Sequence, residues 1–184
     1  MSTTATATKT KWAVDPTHSE IHFKVKHMMI ATVTGAFTKY SVDVETDDDR
    51  FATAKVRVEI DATSVSTGTE ARDTHVRSVD FFNTEKFPKI IFESTSVENV
   101  QEEGHFVLKG NLTIKDITKP VTLNVEFGGT GKDPWGNHKA GFTISGKVNR
   151  KDWELNWNAA LEAGGMLVSD DVKIAGEIQL VKQS

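Results

Sequence analysis

Apolar and polar residues alternate along almost the whole chain, and a period of two is what an extended strand with one buried face demands. In residues 20–27, Ile21, Phe23 and Val25 alternate with His22, Lys24 and Lys26. Residues 54–61 repeat the pattern with Val56, Val58 and Ile60, and residues 105–114 with Phe106, Leu108, Gly110, Leu112 and Ile114. Residues 121–127, 141–148 and 171–180 do the same, and shorter alternating runs occupy 35–45 and 89–94. Turn-forming residues separate the runs at 46–50, 98–105, 114–120, 128–139 and 161–166. The pattern predicts about eight antiparallel strands joined mostly by short hairpins, in an all-β sandwich or closed barrel. Alternation alone does not choose between the two.

One stretch departs from it. Residues 67–78, TGTEARDTHVRS, place Glu70 three residues after Thr67 and Arg77 four after Asp73. A capping box and an i,i+4 ion pair on that spacing predict a short helix near 68–78.

Composition narrows the chemistry. The chain has 184 residues, no cysteine and a formal net charge of −4. That rules out disulfides, thiolate nucleophiles and cysteine-bearing metal sites, and it disfavours general nucleic-acid binding, which needs a basic face. Residues 1–11 are Thr/Ala-rich and read as a flexible tail ahead of a single domain at 12–184, without the apolar core of a signal peptide. No apolar run reaches membrane-spanning length, so the expectation is a soluble, cytoplasmic protein that is not membrane-spanning.

The segment 15–27, DPTHSEIHFKVKH, holds three of the six histidines. His18 and His22 have the spacing of a helical metal pair, yet four residues of extended strand span roughly 13 Å, so no shared metal is expected. His27 has the parity of Ile21, Phe23 and Val25, and reads either as a core histidine or as a polar group at the end of a cavity. Arg72, Asp73, His75 and Arg77 form the densest polar cluster, either an exposed helix face or an anion clamp. Trp153, Leu155 and Trp157 share one face if the segment is a strand. Gly110, Gly146 and Gly176 fall on apolar faces, where they mark either bends or room for something inside. No nucleophile elbow, phosphate loop or calcium loop is present, and no catalytic residue, metal ligand or cofactor is expected.

The motifs WAVDPTHSEIHFKVKH, RDTHVRSVDFFNTEKFPKIIFES, GNLTIKDITKPVTL and NRKDW, in this order, resemble those of the YceI-like family of lipid-binding proteins, over Trp12 to Val181. The resemblance implies a lipocalin-like, extended antiparallel β-barrel around an apolar tunnel that takes a polyisoprenoid or similar long amphiphile, without catalysis. A homodimer is also implied by resemblance, and the periodicity has no bearing on it. Parity then assigns Phe23, Val25, Phe37, Val58, Leu108, Leu112, Val125, Phe142, Ile144, Val148 and Ile174 to the inner wall. His18, His27, Arg72, Asp73, His75 and Arg77 are the residues expected near the polar head of such a ligand. Two departures from the family pattern bear on structure: Asp116 stands at a hairpin position usually taken by Gly, and Trp153–Glu154 replaces a usual Phe–Gly pair. The rival expectations are an enzyme presenting an apolar substrate to His18, His27 or Asp15, and a filled barrel that serves as a dimerisation module.

Overall fold

The structure is a computed structural model and describes residues 8–162 and 164–183. The strands are β1 (Lys9–Val14), β2 (Glu20–His27), β3 (Ala31–Phe37), β4 (Tyr40–Asp47), β5 (Arg50–Asp61), β6 (Val65–Ser66), β7 (Lys89–Glu98), β8 (His105–Ile114), β9 (Ile117–Lys132), β10 (His138–Asn149) and β11 (Val168–Lys182). One helix, α1 (Glu70–Arg77), lies between β6 and β7. All strand pairings are antiparallel, and they run β1-β4-β5-β7-β8-β9-β10-β11 before β11 returns to β1. The result is a closed eight-stranded barrel, and the edge that remains lies past the ring, on β3, which pairs with β6 only at Ala36 and Phe37. None of its helices is long and apolar enough to cross a membrane.

Three staves of this barrel are strands bent in the middle. β1 and β2 lie end to end along β11, with Val14 opposite Leu180 and Glu20 opposite Glu177. β3 pairs with β2 and runs on into β4, which pairs with β1. β5 pairs with β4 and leads into β6, which pairs with β3. The β2-β3-β6 portion therefore continues the wall past the bend. The sequence reads residues 35–45 as one strand, and the break at 38–39 divides it. β1 begins at Lys9, so residues 9–11 belong to the wall and not to a tail; residues 1–7 lie outside the described residues.

The bends have a local chemical cause. Pro16 cannot donate to a ladder, and Asp15 caps a 3-10 turn, Pro16–His18, by accepting from Thr17 N at 3.1 Å and Thr17 Oγ1 at 2.7 Å. The interrupted ladder is rebuilt on one residue of β11. Asp15 N donates to Gln179 O at 2.8 Å, and Gln179 N donates to Ser19 Oγ at 2.9 Å. Asp61 and Thr63 repeat the device at the third bend, with Thr63 N and Oγ1 donating to Asp61 at 2.9 and 2.6 Å. Ser64 Oγ then accepts from the backbone N–H groups of Thr38 and Lys39, satisfying the break in the neighbouring stave. The Asp-Pro-x-His-Ser opening is thus a corner of the wall.

Inward glycines admit rings from the facing strand. Gly35 lies directly opposite Phe23, whose ring occupies the space a Cβ would take. At Gly110 a Cβ would sit 2.5 Å from both Phe92 Cζ and the Glu93 carbonyl oxygen, and at Gly146 it would sit 2.7 Å from Leu123 Cδ2. These gaps let neighbouring side chains lie flat against the wall, so the room they make is already taken. At Gly176 a Cβ would sit 3.1 Å from the Glu20 carbonyl oxygen. At the β8–β9 hairpin Lys115 and Asp116 both have positive φ, 54° and 60°, so Asp116 adopts the left-handed conformation that glycine provides elsewhere.

Two predictions follow from the corner and the glycines. Lys139, followed by Thr17 and His18, holds the Asp15 carboxyl well below the usual carboxylate range, with Lys139 Nζ at 2.7 Å. A depressed folded-state pKa contributes stability that is present above the unfolded value and is lost as pH falls through the folded one. Asp15→Asn should lower stability by about 2 kcal/mol at pH 7 in urea denaturation, and the gap to wild type should close as pH falls below about 4. Gly110→Ala should cost more than Gly35→Ala, within about 1–3 kcal/mol, because the first must move backbone and the second only the end of a side chain. Equal midpoints for the two variants would contradict this.

Candidate functional site

A cavity of about 420 Å³ runs inside the barrel. All eleven residues assigned inward by parity line it: Phe23, Val25, Phe37, Val58, Leu108, Leu112, Val125, Phe142, Ile144, Val148 and Ile174. Ile21, Val33, Val42, Val44, Val56, Ile60, Phe92 and Ile178 complete much of the wall. Most strands contribute alternate residues, which is the pleat expressed as a surface, while β2 adds His22 and Lys26 and β11 adds Ala175 out of that phase. One end is packed with rings. Phe51 contacts Trp12, Phe127 and Phe142 at centroid distances of 5.0, 5.5 and 4.9 Å, and Phe106 lies 6.4 Å from Phe142.

The other end carries the polar groups. Arg72 and Lys26 are the two exposed residues among those lining the cavity in the described structure, which places the opening between α1 and the end of β2. Arg72 Nε and Nη2 donate to Thr67 Oγ1 and O at 2.8 and 2.6 Å. Its Nη1 makes no hydrogen bond among the described residues, so half of the guanidinium fork is available to an anion at the rim. Lys26 Nζ is held by Thr32 Oγ1 at 3.0 Å. His75 lines the cavity with its ring edge-on to Trp157 at 4.6 Å and Phe81 at 5.1 Å, while Nε2 bonds Asp80 Oδ2 at 2.8 Å. Phe82 meets Phe37 edge-on at 5.9 Å and joins the helix exit to the wall. His27 also lines the cavity, at the end of β2.

Three of the six residues expected at the polar end are elsewhere. His18 sits in the Pro16–His18 turn with 60% of its side chain exposed, and Nδ1 bonds Asp15 at 2.8 Å. It folds back onto Asp15 within the turn, because the extended strand begins only at Glu20. Asp73 is buried and faces the chain before the helix. It accepts from Thr67 N at 2.7 Å and Thr67 Oγ1 at 2.6 Å, and those bonds, set against desolvation, lower its pKa. No Thr67–Glu70 capping box forms, since the N-cap is Thr69 and Thr67 is committed to Asp73. Arg77 pairs with Glu70 at 3.3 Å in place of Asp73 and does not line the cavity. Arg72 and Arg77 therefore do not form a clamp.

Residues 150–157 are not a strand. A 3-10 turn spans Arg150–Trp153 and ends at Glu154, which adopts the left-handed conformation with φ 57°. The Arg150 side chain is 4% exposed, and it donates to four carbonyls: Leu155, Trp157 at 2.9 Å, Ser169 at 2.8 Å and Val168 at 3.3 Å. Burial pushes its pKa down, opposed by Asp170 at 4.0 Å, and the carbonyls stand in for lost water. This arginine ties residues 155–157 to residues 168–169 beside the cavity. Trp153 Nε1 donates to Leu112 O at 2.9 Å, and Trp153, Leu155, Trp157, Leu167 and Val168 all line the cavity. Sequence reasoning placed Trp153, Leu155 and Trp157 on a strand; the only signal against it was a charged Asn-Arg-Lys-Asp run between apolar neighbours.

Among the described residues no group of three or more His, Asp or Glu side chains could hold a metal ion. The arrangement is an apolar chamber with a basic, aromatic-rimmed opening.

Comparison with known proteins agrees with this architecture. A UPF0312 protein of Staphylococcus aureus (strain N315) is 42% identical over 165 residues, covering 89% of this chain and 93% of that one. The crystal structure of a Campylobacter jejuni YCEI protein is 30% identical and superposes with a TM-score of 0.74 over 88% of this chain and 91% of that one. A polyisoprenoid binding domain from Saccharophagus degradans, implicated in plant cell wall breakdown, shares the fold at a TM-score of 0.64 with 14% identity, over 94% of this chain and 98% of that one. The family model for the YceI-like domain matches residues 12–180, and the chain belongs to the YceI-like family.

Proposed function

We propose that the barrel binds one long-chain polyisoprenoid or a comparable amphiphile, with the chain in the cavity and the head group at the Arg72 rim, for carriage, storage or sequestration. The observation that carries this reading is an interior lined by apolar side chains and left unfilled. A cavity of about 420 Å³ is in the range of ligand pockets, and a barrel that only needed stability would close it, since voids lose dispersion contacts. Each methylene transferred from water into such a wall contributes about 0.8 kcal/mol, so affinity grows with chain length without any polar contact. The likeness in fold to a polyisoprenoid binding domain and the family membership point the same way. The free half of the Arg72 guanidinium, beside His75, favours an anionic or strongly accepting head group.

Native mass spectrometry of protein purified gently from its own host tests this. One bound lipid of isoprenoid mass per chain is the expected result, and its reproducible absence would contradict the proposal. Phe142→Arg or Ile144→Lys should abolish that adduct while the far-ultraviolet spectrum stays that of a β-barrel, because each puts a charge without a partner in the apolar wall. Arg72→Gln should weaken binding of a phosphorylated isoprenoid about tenfold, roughly 1.4 kcal/mol, and leave the corresponding alcohol nearly unchanged in fluorescence-displacement titrations.

A further inference from the structure

The turn between β2 and β3 places apolar side chains where a hairpin normally carries polar ones. Met28, Met29 and Ile30 are 43, 65 and 81% exposed, and Met166, 45% exposed, stands beside them. Met28 N donates to Leu167 O at 2.7 Å, and Met29 Cγ lies beside Gly165, so the two turns adjoin at one end of the molecule. Met28 and Met29 also have φ values of 54° and 62°, in a turn closed by Ile30 N donating to His27 O at 3.2 Å. Positive φ at both central positions is the geometry for which Asn-Gly is the favoured pair, and two methionines there are strained and exposed together. Nothing among the described residues covers the exposed side chains of Met29 and Ile30.

The tip adjoins the opening. His27 before it and Leu167 after its neighbouring loop both line the cavity, and Lys26 belongs to the rim. On the outer face behind the tip, Lys24 of β2 lies opposite Lys173 of β11, which lies opposite Lys147 of β10. Lys24 and Lys173 have no ion-pair partner among the described residues, while Lys147 and Lys151 face Asp171 and Asp170. Elsewhere at this end the charges nearly balance, with Arg150 buried and Asp152, Glu154 and Glu162 also present, so the uncompensated positive charge is the Lys24–Lys173 pair together with Lys26 at the rim.

We propose that the Met28–Met29–Ile30 tip, with Met166, inserts into the surface of an anionic lipid bilayer, the lysine row facing the head groups, and so sets the cavity opening against the membrane from which the ligand is drawn or to which it is returned. An apolar tip with a row of lysines behind it is the composition of an interfacial anchor, and the apolar contact and the charge act together there. Flexible methionine side chains adapt to an irregular acyl surface. The role given to the opening rests on the lipid-binding reading above; the docking itself does not.

The test is flotation of the full chain with vesicles of phosphatidylcholine and phosphatidylglycerol, against phosphatidylcholine alone, for wild type and for the double variant Met28→Asn/Met29→Gly. Wild type should float with the anionic vesicles and much less with neutral ones. The double variant should lose roughly tenfold or more of that partition while its urea midpoint rises, because the new pair suits the turn. A rise in stability with loss of docking excludes misfolding as the cause. Failure of the wild type to float, equal flotation of the variant, or a concentration-dependent dimer abolished by the same substitutions without any flotation would each overturn the proposal, the last in favour of a second copy of this chain. Native mass spectrometry of the same samples reads the cargo separately, so a protein that floats but carries no isoprenoid contradicts the lipid-carrier reading and leaves the docking supported.

Discussion

Closure of the sheet through the β1–β11 ladder is the constraint on which the remaining structure depends. With Trp12, Ala13 and Val14 paired to Lys182, Val181 and Leu180, the ladder from β1 through β4, β5 and β7 to β11 closes on itself. The shape is then held by the backbone of the wall and need not be held by a packed centre. That is what allows a chamber lined by Val125, Ile144 and Phe92 to remain open. An open sandwich with the same inward residues would have to bring its faces into contact to exclude water. The corners serve the closure. Asp15, Ser19, Asp61 and Ser64 satisfy the backbone groups that the bends release, so the ring keeps its polar bookkeeping while changing direction.

The ends of the chamber are built differently because they do different work. Phe51, Phe127 and Phe142 close one end by ring packing alone. At the other end a buried arginine orders a segment with little regular structure: Arg150 gathers the carbonyls of 155, 157, 168 and 169, and Trp157 is thereby set against His75 of α1. The opening between α1 and the end of β2 is therefore bordered by a helix that leans on this loop, and both are tied to the wall through side chains. Such a boundary can yield without breaking a strand ladder, which suits passage of a long ligand.

Much of this was legible in the alternation. A period of two specifies which side of a strand a residue faces, and Phe23, Val25, Leu108, Leu112 and Ile174 followed it into the cavity because each sits well inside a ladder. Parity fails where the backbone leaves the extended conformation. His18 lies in a 3-10 turn, so its place in the alternating count carries no information. Asp73 and Arg77 were misread for another reason. Helix spacing shows which residues can meet on one helix, but it does not reveal that the Thr67 backbone N–H, six residues earlier, needs an acceptor, and that need takes Asp73 out of the surface pair. The 150–157 segment hid behind its own apolar residues: Trp153, Leu155 and Trp157 alternate as a strand would, yet a 3-10 turn and a left-handed Glu154 bring them inward from a loop.

The central claim is that the interior is a binding chamber. A high-resolution crystal structure of the protein taken from its own host without detergent addresses it most directly. The account predicts continuous tubular density in contact with Phe23, Val125 and Ile144, ending near Arg72 and His75. An interior closed by collapse of Phe37, Phe92 and Phe142 onto one another, or filled only by ordered water, would contradict it.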